Sequence, residues 1–248
     1  MPTRDSSSAL AARGAFATTH WSLVLAAGRD TSPEARAAME TLCRAYWYPL
    51  YAYVRRRGHS SEDAQDLAQE FFHRLLACDW VARADKTRGR FRTFLLSGLQ
   101  NFLANEWRKA NRLKRGGGTA TIALDALEAE ERYRVEPADV ASADKLFERR
   151  WALTLLDRVL ARLQAEEAAA GANKRFEALR GVLLGEPSEE GYAALARRFG
   201  VTESTVKSWV HRLRARYREL LREEVGQTVG NAEETQDELQ HLMRVLSS

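Results

Sequence analysis

The sequence DKTRGRFRTFLLSGLQNFLANEWRKANRLKR, residues Asp85–Arg115, combines the pattern of an amphipathic helix with dense positive charge. From Lys86 to Arg115 there are nine Lys or Arg residues and one acid, Glu106, which gives a local net charge of +8. Its middle repeats apolar residues at three- and four-residue steps, namely Phe91, Leu95, Leu99, Phe102 and Leu103. The stretch therefore predicts a helix with one buried face and cationic ends.

These residue types suit the binding of a nucleic-acid strand. Lys and Arg neutralise phosphates and release counterions. An aromatic ring can accept an unstacked base, at about 1–3 kcal/mol per base. A basic, solvated helix whose aromatic rings all lie in the core fits this stretch about equally well, so the stretch alone does not decide between the two.

Composition limits the classes of protein that the chain can belong to. It has 248 residues, 45% of them hydrophobic, which suggests one or two domains. Its two cysteines, Cys43 and Cys78, form no CxxC pair, so a disulfide framework or a zinc site is not expected and a cytoplasmic location fits. The charge-free run Gly14–Gly28 is shorter than the roughly 20 apolar residues of a membrane span. It also lacks the layout of a secretory signal.

Two helices are expected before the basic stretch. Ser32 and Pro33 predict the start of the first, which runs to about Arg57 with a kink or break at Pro49. Ser60 or Ser61 caps the second, SSEDAQDLAQEFFHRLLA. One face of this second helix is polar and acidic, with Asp63, Asp66, Gln69 and Glu70. On residue pattern alone, such a face is most often merely solvated.

A second informative stretch, YAALARRFGVTESTVKSWVHRLRARY (192–217), fits a helix-turn-helix. Gly200 can adopt the left-handed turn conformation, Thr202 can cap the second helix, and Val206 points back into the core. From Glu203 to Arg222 there are six Lys or Arg and two acids, a net charge of +4, which favours DNA over a plain helical bundle. The residues that could reach groove edges and phosphates are Thr202, Glu203, Ser204, Thr205, Lys207, Ser208, His211, Arg212 and Arg214.

No alternating β-branched run is present, so we expect an all-α fold with two helical domains joined by a flexible linker. The expected divisions are an N-terminal extension (1–36), a first domain (37–118), a linker (119–148), a second domain with the helix-turn-helix (149–224) and a C-terminal extension (225–248). Leu239, Leu242, Met243 and Leu246 predict a short amphipathic helix in the last segment. Docking on the body of the protein is favoured over docking on a partner.

The order of these parts resembles bacterial RNA polymerase sigma factors of the small, two-domain extracytoplasmic-function (ECF) group. The acidic-faced helix comes first, the basic aromatic helix follows, and the helix-turn-helix lies beyond a linker. The resemblance covers roughly residues 38–115 and 150–222. It implies a protein that recruits core polymerase, through its β′ and β subunits, to promoter DNA. The chain is expected to lack the extra domains of the large housekeeping sigma factors.

The resemblance also implies a role for each part. Asp63, Asp66, Gln69 and Glu70 would dock on a coiled coil of the β′ subunit, and the helix-turn-helix would read the minus-thirty-five element. The loop at about 85–92 and the following helix would open the minus-ten element and hold a flipped base. For that site the implied residues are Arg88, Arg90, Phe91, Arg92, Asn101, Asn105, Trp107, Arg108, Arg112, Lys114 and Arg115.

The resemblance implies regulation by a membrane-anchored anti-sigma factor, by a fused extension or by a protein kinase, and the two extensions of this chain leave the choice open. A phosphate on Ser60 or Ser61 would lie at a helix N-terminus beside Asp63, which makes a switch there a hypothesis.

Two other classes of protein are weighed against a sigma factor. A helix-turn-helix regulator that binds duplex DNA without polymerase is the alternative, but it would not need the Asp85–Arg115 stretch. An enzyme, such as a nuclease, is not expected because HExxH and metal-ligand spacings are absent from the sequence and His73 is a lone candidate ligand. No cofactor or metal is expected.

Overall fold

The computed structural model describes residues 33–77, 90–112, 126–134, 142–185, 191–229 and 232–247. In these ranges the chain is helical apart from turns and an isolated antiparallel bridge between Arg90 and Val229. The described helices are α1 (Pro33–Arg56), α2 (Ser61–Ala77), α3 (Phe91–Arg112), α4 (Ala126–Arg134), α5 (Ala143–Ala169), α6 (Asn173–Leu184), α7 (Gly191–Phe199), α8 (Glu203–Gly226) and α9 (Ala232–Leu246). The predicted all-α fold is confirmed.

Helix α1 begins at Pro33, as the sequence predicts, and continues through Pro49 without a break. A proline inside a helix removes one backbone hydrogen bond and crowds the preceding turn. Here Pro49 is buried between Tyr46 and Leu50, which are themselves buried in the core. The packing of this aromatic-rich segment therefore offsets the lost hydrogen bond, and the expected break does not occur.

A first hydrophobic core joins α1, α2, α3 and the N-terminal half of α5. The apolar stripes predicted from helical spacing supply it, including Tyr46 and Leu50 of α1, Phe71 of α2 and Leu95 of α3. The helix α5 closes this core with Trp151, whose indole N–H donates to the Tyr46 hydroxyl at 2.8 Å. A buried indole requires such a partner, and the bond fixes α5 on α1.

A second core is formed by the C-terminal half of α5 with α6, α7 and α8. Helix α5 contributes Leu155 to the first core and Leu163 to the second, so one continuous helix belongs to both. Helix α8 also belongs to both cores, because Leu220 lies in the second and Val225 in the first. The two expected domains are thus connected through the middle by two long helices.

Part of the segment expected to be a flexible linker is helical. Helix α4 lies within the range 119–148, and α5 already begins at Ala143. Glu130 of α4 accepts hydrogen bonds from the Arg55 guanidinium (2.9 and 3.0 Å) and from the Tyr51 hydroxyl (2.7 Å) on α1. The Arg55 guanidinium also stacks over the Tyr133 ring at 4.7 Å. These contacts dock α4 on α1. This part of the expected flexible linker is therefore an ordered helix.

The C-terminal segment folds back on the first core. Val225 and Leu242 are fully buried there, and α9 packs against α5 and α8. The predicted amphipathic helix and its docking on the body are both present. None of the helices in the described ranges combines the length and the apolar character that a membrane crossing needs.

Candidate nucleic-acid interface

The acidic face of α2 begins at its cap. The Ser60 hydroxyl accepts a hydrogen bond from the backbone N–H of Asp63 at 3.0 Å and donates to the Asp63 carboxylate at 2.8 Å. Ser60, rather than Ser61, is therefore the cap. Asp63 and Asp66 are exposed, and Gln69 and Glu70 are partly exposed. Their spacing places all four on one side of α2.

Glu70 also connects this face to α3. Its carboxylate lies 2.6 Å from Arg74, one helical turn away, and Arg74 bonds Glu106 of α3 at 2.9 Å. The Arg74 guanidinium lies over the Phe102 ring at 5.0 Å, so its stem and charge cover the edge of the core. These contacts fix the position of α2 relative to α3.

The second half of α3 presents a polar stripe to solvent. Asn101, Asn105 and Arg108 are exposed and follow one another at four- and three-residue steps, so they lie on one side of the helix. The Arg108 guanidinium turns back to the carbonyl of Ala104 at 3.2 Å. Amide and guanidinium groups in such a row can hydrogen-bond the edges and phosphates of an unpaired strand.

Trp107 lies about 100° round α3 from Arg108, between this stripe and the buried face, and keeps 69% of its surface exposed. An exposed indole has an apolar face and a polar N–H that are both available to a ligand or a partner. Its flat ring offers a base a stacking partner, which neighbouring amides alone do not provide.

The first turn of α3 contains buried side chains, whereas its second half presents exposed ones. Phe91 is fully buried and meets Tyr46 edge-on at 5.0 Å, so the expectation that its ring contacts DNA is corrected: the ring belongs to the core. Arg92 is 7% exposed and bonds Glu238 of α9 (2.5 and 3.3 Å) and Glu148 of α5 (2.5 Å). Arg90 is paired with Glu238 at 3.4 Å.

The charges around Arg92 form a closed network. Burial lowers the pKa of the Arg92 guanidinium, but its hydrogen bonds to Glu238 and the charges of Glu238 and Glu148 outweigh this and leave the pKa above its ordinary value. The second oxygen of Glu148 bonds the His241 ring at 2.6 Å. Trp151 lies beside both Arg92 (5.2 Å) and His241 (5.9 Å between rings). Arg92 therefore carries its charge inside the protein.

Several predicted residues lie outside the described part of the chain. These are Arg88, Lys114 and Arg115, together with the side chain of Arg112. The first 32 residues of the predicted N-terminal extension also lie outside it.

The helix-turn-helix has the geometry that its sequence predicts. Gly200 ends α7 with a φ of +64°, in the left-handed region that favours glycine. Thr202 caps α8, and its hydroxyl accepts a hydrogen bond from the backbone N–H of Thr205 at 3.2 Å. Leu195 and Val206 are buried where the two helices cross. Each of these features fixes the angle at which α8 leaves the turn.

Most of the predicted contact residues of α8 are exposed on one side of it. They are Glu203, Ser204, Lys207, Ser208, His211, Arg212 and Arg214, with Thr202 exposed at the cap and Thr205 partly exposed. The Arg214 guanidinium is engaged, because it donates to the carbonyl of Val182 at the end of α6 (2.7 Å). The Lys207 ammonium lies 5.8 Å from the Tyr192 ring. A basic, largely exposed second helix suits entry into a major groove.

Arg212 also lines a cavity of about 290 Å³ with Trp209 and Arg216 on α8, Glu167 on α5 and Arg175 on α6. Ion pairs engage its walls: Arg175 bonds Glu167 at 2.7 Å, and Arg216 bonds Glu166 of α5 at 2.8 Å. Within the ranges that the structure describes, no group of three or more His, Cys, Asp or Glu residues could hold a metal ion.

Sequence reasoning did not find the partners of Arg92. Glu148, Glu238 and His241 come from two distant helices, and their positions in the sequence give no local signal that they meet. A weak indication existed, because Glu238 lies one turn before Leu242 on the apolar side of α9.

Comparisons with known proteins agree with part of this description. Residues 42–113, which span most of α1, all of α2 and all of α3, match the family model of sigma-70 region 2. No curated protein and no solved structure gives a significant match to the chain.

Proposed function

We propose that this chain, which residues 42–113 support as a member of the sigma-70 family, is an ECF-type sigma factor. It binds core RNA polymerase and directs promoter recognition and DNA melting at transcription initiation. It acts by binding, in the cytoplasm, and has no catalytic residues. The observation that carries the proposal is the exposed α3 surface around Trp107, because it lies inside the region 2 match and has the chemistry of a strand-binding site.

The polymerase contact is the acidic face of α2. Asp63 and Asp66 are exposed on it, and the pair formed by Arg74 and Glu106 holds α2 against α3. A coiled coil with basic residues could dock there without rearrangement of the helix. The docking would place α3 beside the DNA that polymerase holds.

Strand opening is driven by binding energy at α3. Unstacking a base costs a few kcal/mol, and stacking on an aromatic ring returns about 1–3 kcal/mol. Trp107 supplies the ring, while Asn101, Asn105 and Arg108 supply donors and acceptors for the base edge and the backbone. The site thus stabilises the opened strand and not the duplex.

Helix α8 reads the minus-thirty-five element in the proposed complex. Lys207, Ser208 and His211 lie on its exposed side and can reach base edges, and Arg212 can reach the backbone. An anti-sigma factor or a protein kinase remains the expected regulator. The capping hydroxyl of Ser60, next to Asp63, is the position where a phosphate would act on the polymerase face.

The test is run-off transcription with sigma-free bacterial core polymerase on fragmented genomic DNA, with RNA 5′ ends mapped. We expect discrete starts that share two spaced upstream motifs. Absence of both starts and binding to core polymerase, with an active control sigma factor, would contradict the proposal and favour the stand-alone duplex-binding regulator.

One variant and its matched control test the acidic face of α2 as the polymerase-binding surface. Asp66→Arg should weaken binding to core polymerase because it reverses a charge on the exposed face of α2, whereas Glu131→Arg, on an exposed position of α4, is the matched control. Retained polymerase affinity in Asp66→Arg would remove α2 as the docking face.

A further inference from the structure

The two described arginines at the start of α3 are covered by the C-terminal segment. Arg90 lies 3.5 Å from Asp237 and 3.4 Å from Glu238, and Arg92 binds Glu238 with two of its nitrogens. Both arginines belong to the surface expected to bind the minus-ten element. In this arrangement their charges are neutralised by acids of α9, and Arg92 has little contact with solvent.

The backbone reinforces this cover. The N–H of Phe91 donates to the carbonyl of Thr228 at 2.9 Å, and Arg90 and Val229 form the antiparallel bridge. Thr228 and Val229 are buried. The chain entering α9 is therefore fastened along the first turn of α3, on the side from which a DNA strand would approach Arg90 and Arg92.

The carboxylate of Glu238 binds Arg92 in the way that a DNA phosphate would. An Arg fork binds a carboxylate and a phosphate through the same N–H donors, so Glu238 and a backbone phosphate compete for the same atoms of Arg92. Glu238 is 1% exposed, and no phosphate can reach Arg92 while this pair is intact. Arg92 therefore cannot bind a phosphate while the C-terminal segment is docked on it.

The cover is also suited to release. Helix α9 has 15 residues, which lies at the upper end of the length of about 12–15 residues below which isolated helices are marginal in water. Its outer side is exposed, including Met243 and Asp237. Release requires the contacts of Glu238, His241 and Leu242 to be lost together. The freed helix would then be marginal on its own, so release would be a transition from order to disorder.

We propose that residues 227–229 and 232–247, the C-terminal cap, are an autoinhibitory element that blocks the minus-ten site at Arg90 and Arg92 until it is displaced. The proposal rests on the proposed function for the identity of the DNA. The cap keeps the unbound protein from engaging DNA and gives way when polymerase or promoter DNA competes for the region.

The experiment measures DNA binding by the full-length free protein with three variants that each remove one negative charge from the cap. Glu238→Gln breaks the buried pair, Asp237→Asn breaks only the exposed pair with Arg90, and Glu233→Gln changes an exposed acid of the same helix. The probe is a fluorescein-labelled 20-mer of deoxythymidine, followed by fluorescence anisotropy at low salt. All three variants have the same net charge, so a difference between them is not a general charge effect.

We expect Glu238→Gln to bind the probe about 10-fold more tightly than Glu233→Gln, because it removes the carboxylate that both Arg90 and Arg92 bind. Asp237→Asn should bind about 2-fold more tightly than Glu233→Gln. Because the Asp237 side chain is exposed, this variant should fold as the natural sequence does. In the double variant Arg92→Gln/Glu238→Gln, Arg90 alone is released, and most of the gain should vanish. Equal affinities for Glu238→Gln, Asp237→Asn and Glu233→Gln would overturn the proposal.

Hydrogen exchange provides the second readout. Amides of 232–246 should exchange faster in Glu238→Gln than in Glu233→Gln, and an excess of the probe should accelerate them in the natural sequence. Tighter DNA binding with an unchanged, protected cap would also overturn the proposal.

Run-off transcription on core polymerase separates this inference from the function on which it rests. Promoter-specific starts with equal probe affinities for all three cap variants would refute the cap and leave the sigma function standing. A gain in probe affinity for Glu238→Gln without starts from any variant would refute the sigma function and leave a cap over a DNA site.

Discussion

At the residue scale, two aromatic side chains of α3 have opposite environments. Phe91 is fully buried against Tyr46, whereas Trp107 is largely exposed. Helical spacing explains the difference, because Phe91 is in register with Leu95 and Leu99 on the buried stripe. Trp107 lies about 80° round the helix from Leu99, at the border of that stripe. Only Trp107 can offer its ring to a base in this conformation.

Trp107→Ala should weaken the binding of a single-stranded promoter segment to the polymerase complex by roughly 5- to 150-fold, the equivalent of one lost stacking contact. Its unfolding free energy should change by no more than about 0.5 kcal/mol, because the ring is exposed. Anisotropy with a labelled strand and chemical denaturation measure the two quantities. Trp107→Phe keeps a stacking face and should retain most of the affinity; a loss as large as that of Trp107→Ala would argue against stacking.

Arg92→Met should destabilise the protein by about 3–5 kcal/mol, because it leaves the Glu238 carboxylate buried without its main partner. The double variant Arg92→Met/Glu238→Leu should recover much of that loss, since apolar residues of similar volume can replace a buried ion pair. Urea denaturation of both single variants and the double variant gives the coupling energy. A strictly additive cycle would show that the pair is not energetically coupled.

At the element scale, helices differ in how much of their placement is local. The turn between α7 and α8 depends on Gly200 and Thr202, two residues whose conformation and capping are local properties. Helix α4 depends instead on Arg55 and Tyr51, which lie on α1, 75 and 79 residues away from Glu130. Its nine residues would be marginal as an isolated helix.

The docking of α4 should depend on pH through Glu130. Hydrogen bonds from Arg55 lower the pKa of this carboxyl below its ordinary 4.5, and they outweigh burial, which acts in the opposite direction. The stabilisation is therefore complete above about pH 4.5 and is lost as pH falls through the lower, folded-state pKa. Glu130→Gln should lower stability at pH 7 by about 1.5–3 kcal/mol and flatten its acid dependence.

Thermal denaturation between pH 3 and 7 measures this effect, with Glu131→Gln on the exposed side of α4 as the control. An identical acid dependence in Glu130→Gln and in the control would contradict the role of the bridge to Arg55.

At the scale of the whole molecule, α5 and α8 cross from one core to the other. Leu155 and Leu163 are buried two turns apart on α5, each in a different core. Because a helix forms and melts cooperatively, the loss of one core is transmitted to the other through this element. The described protein should therefore unfold as one unit and not as two independent domains.

Leu163→Ala, in the second core, should destabilise the protein by about 2–5 kcal/mol. Hydrogen exchange in increasing denaturant should show α1 of the first core losing protection together with α6 of the second. Arg149→Ala, on an exposed position of α5, is the control and should leave both unchanged. Destabilisation confined to α6, α7 and α8 would show that the two cores are independent.

The sequence by itself determined most of the elements, though not α4, and much of the candidate site. Periodicity placed Leu95 and Leu99 in the core, and local chemistry placed Gly200 at a turn, Thr202 at a cap and either Ser60 or Ser61 at the cap of α2. These features depend on residues within about one helical turn of each other, so their pattern is readable along the chain. The acidic face of α2 and the exposed side of α8 were predictable for the same reason.

The tertiary structure alone decided which charged residues remain exposed to solvent. Arg92 and Arg108 look alike in the sequence, yet Arg92 is buried against Glu238, 146 residues away, while Arg108 is exposed. A buried ion pair requires two groups to lose water together, and only the packing of α9 and α5 on α3 brings those groups into contact. No spacing rule reaches across that distance.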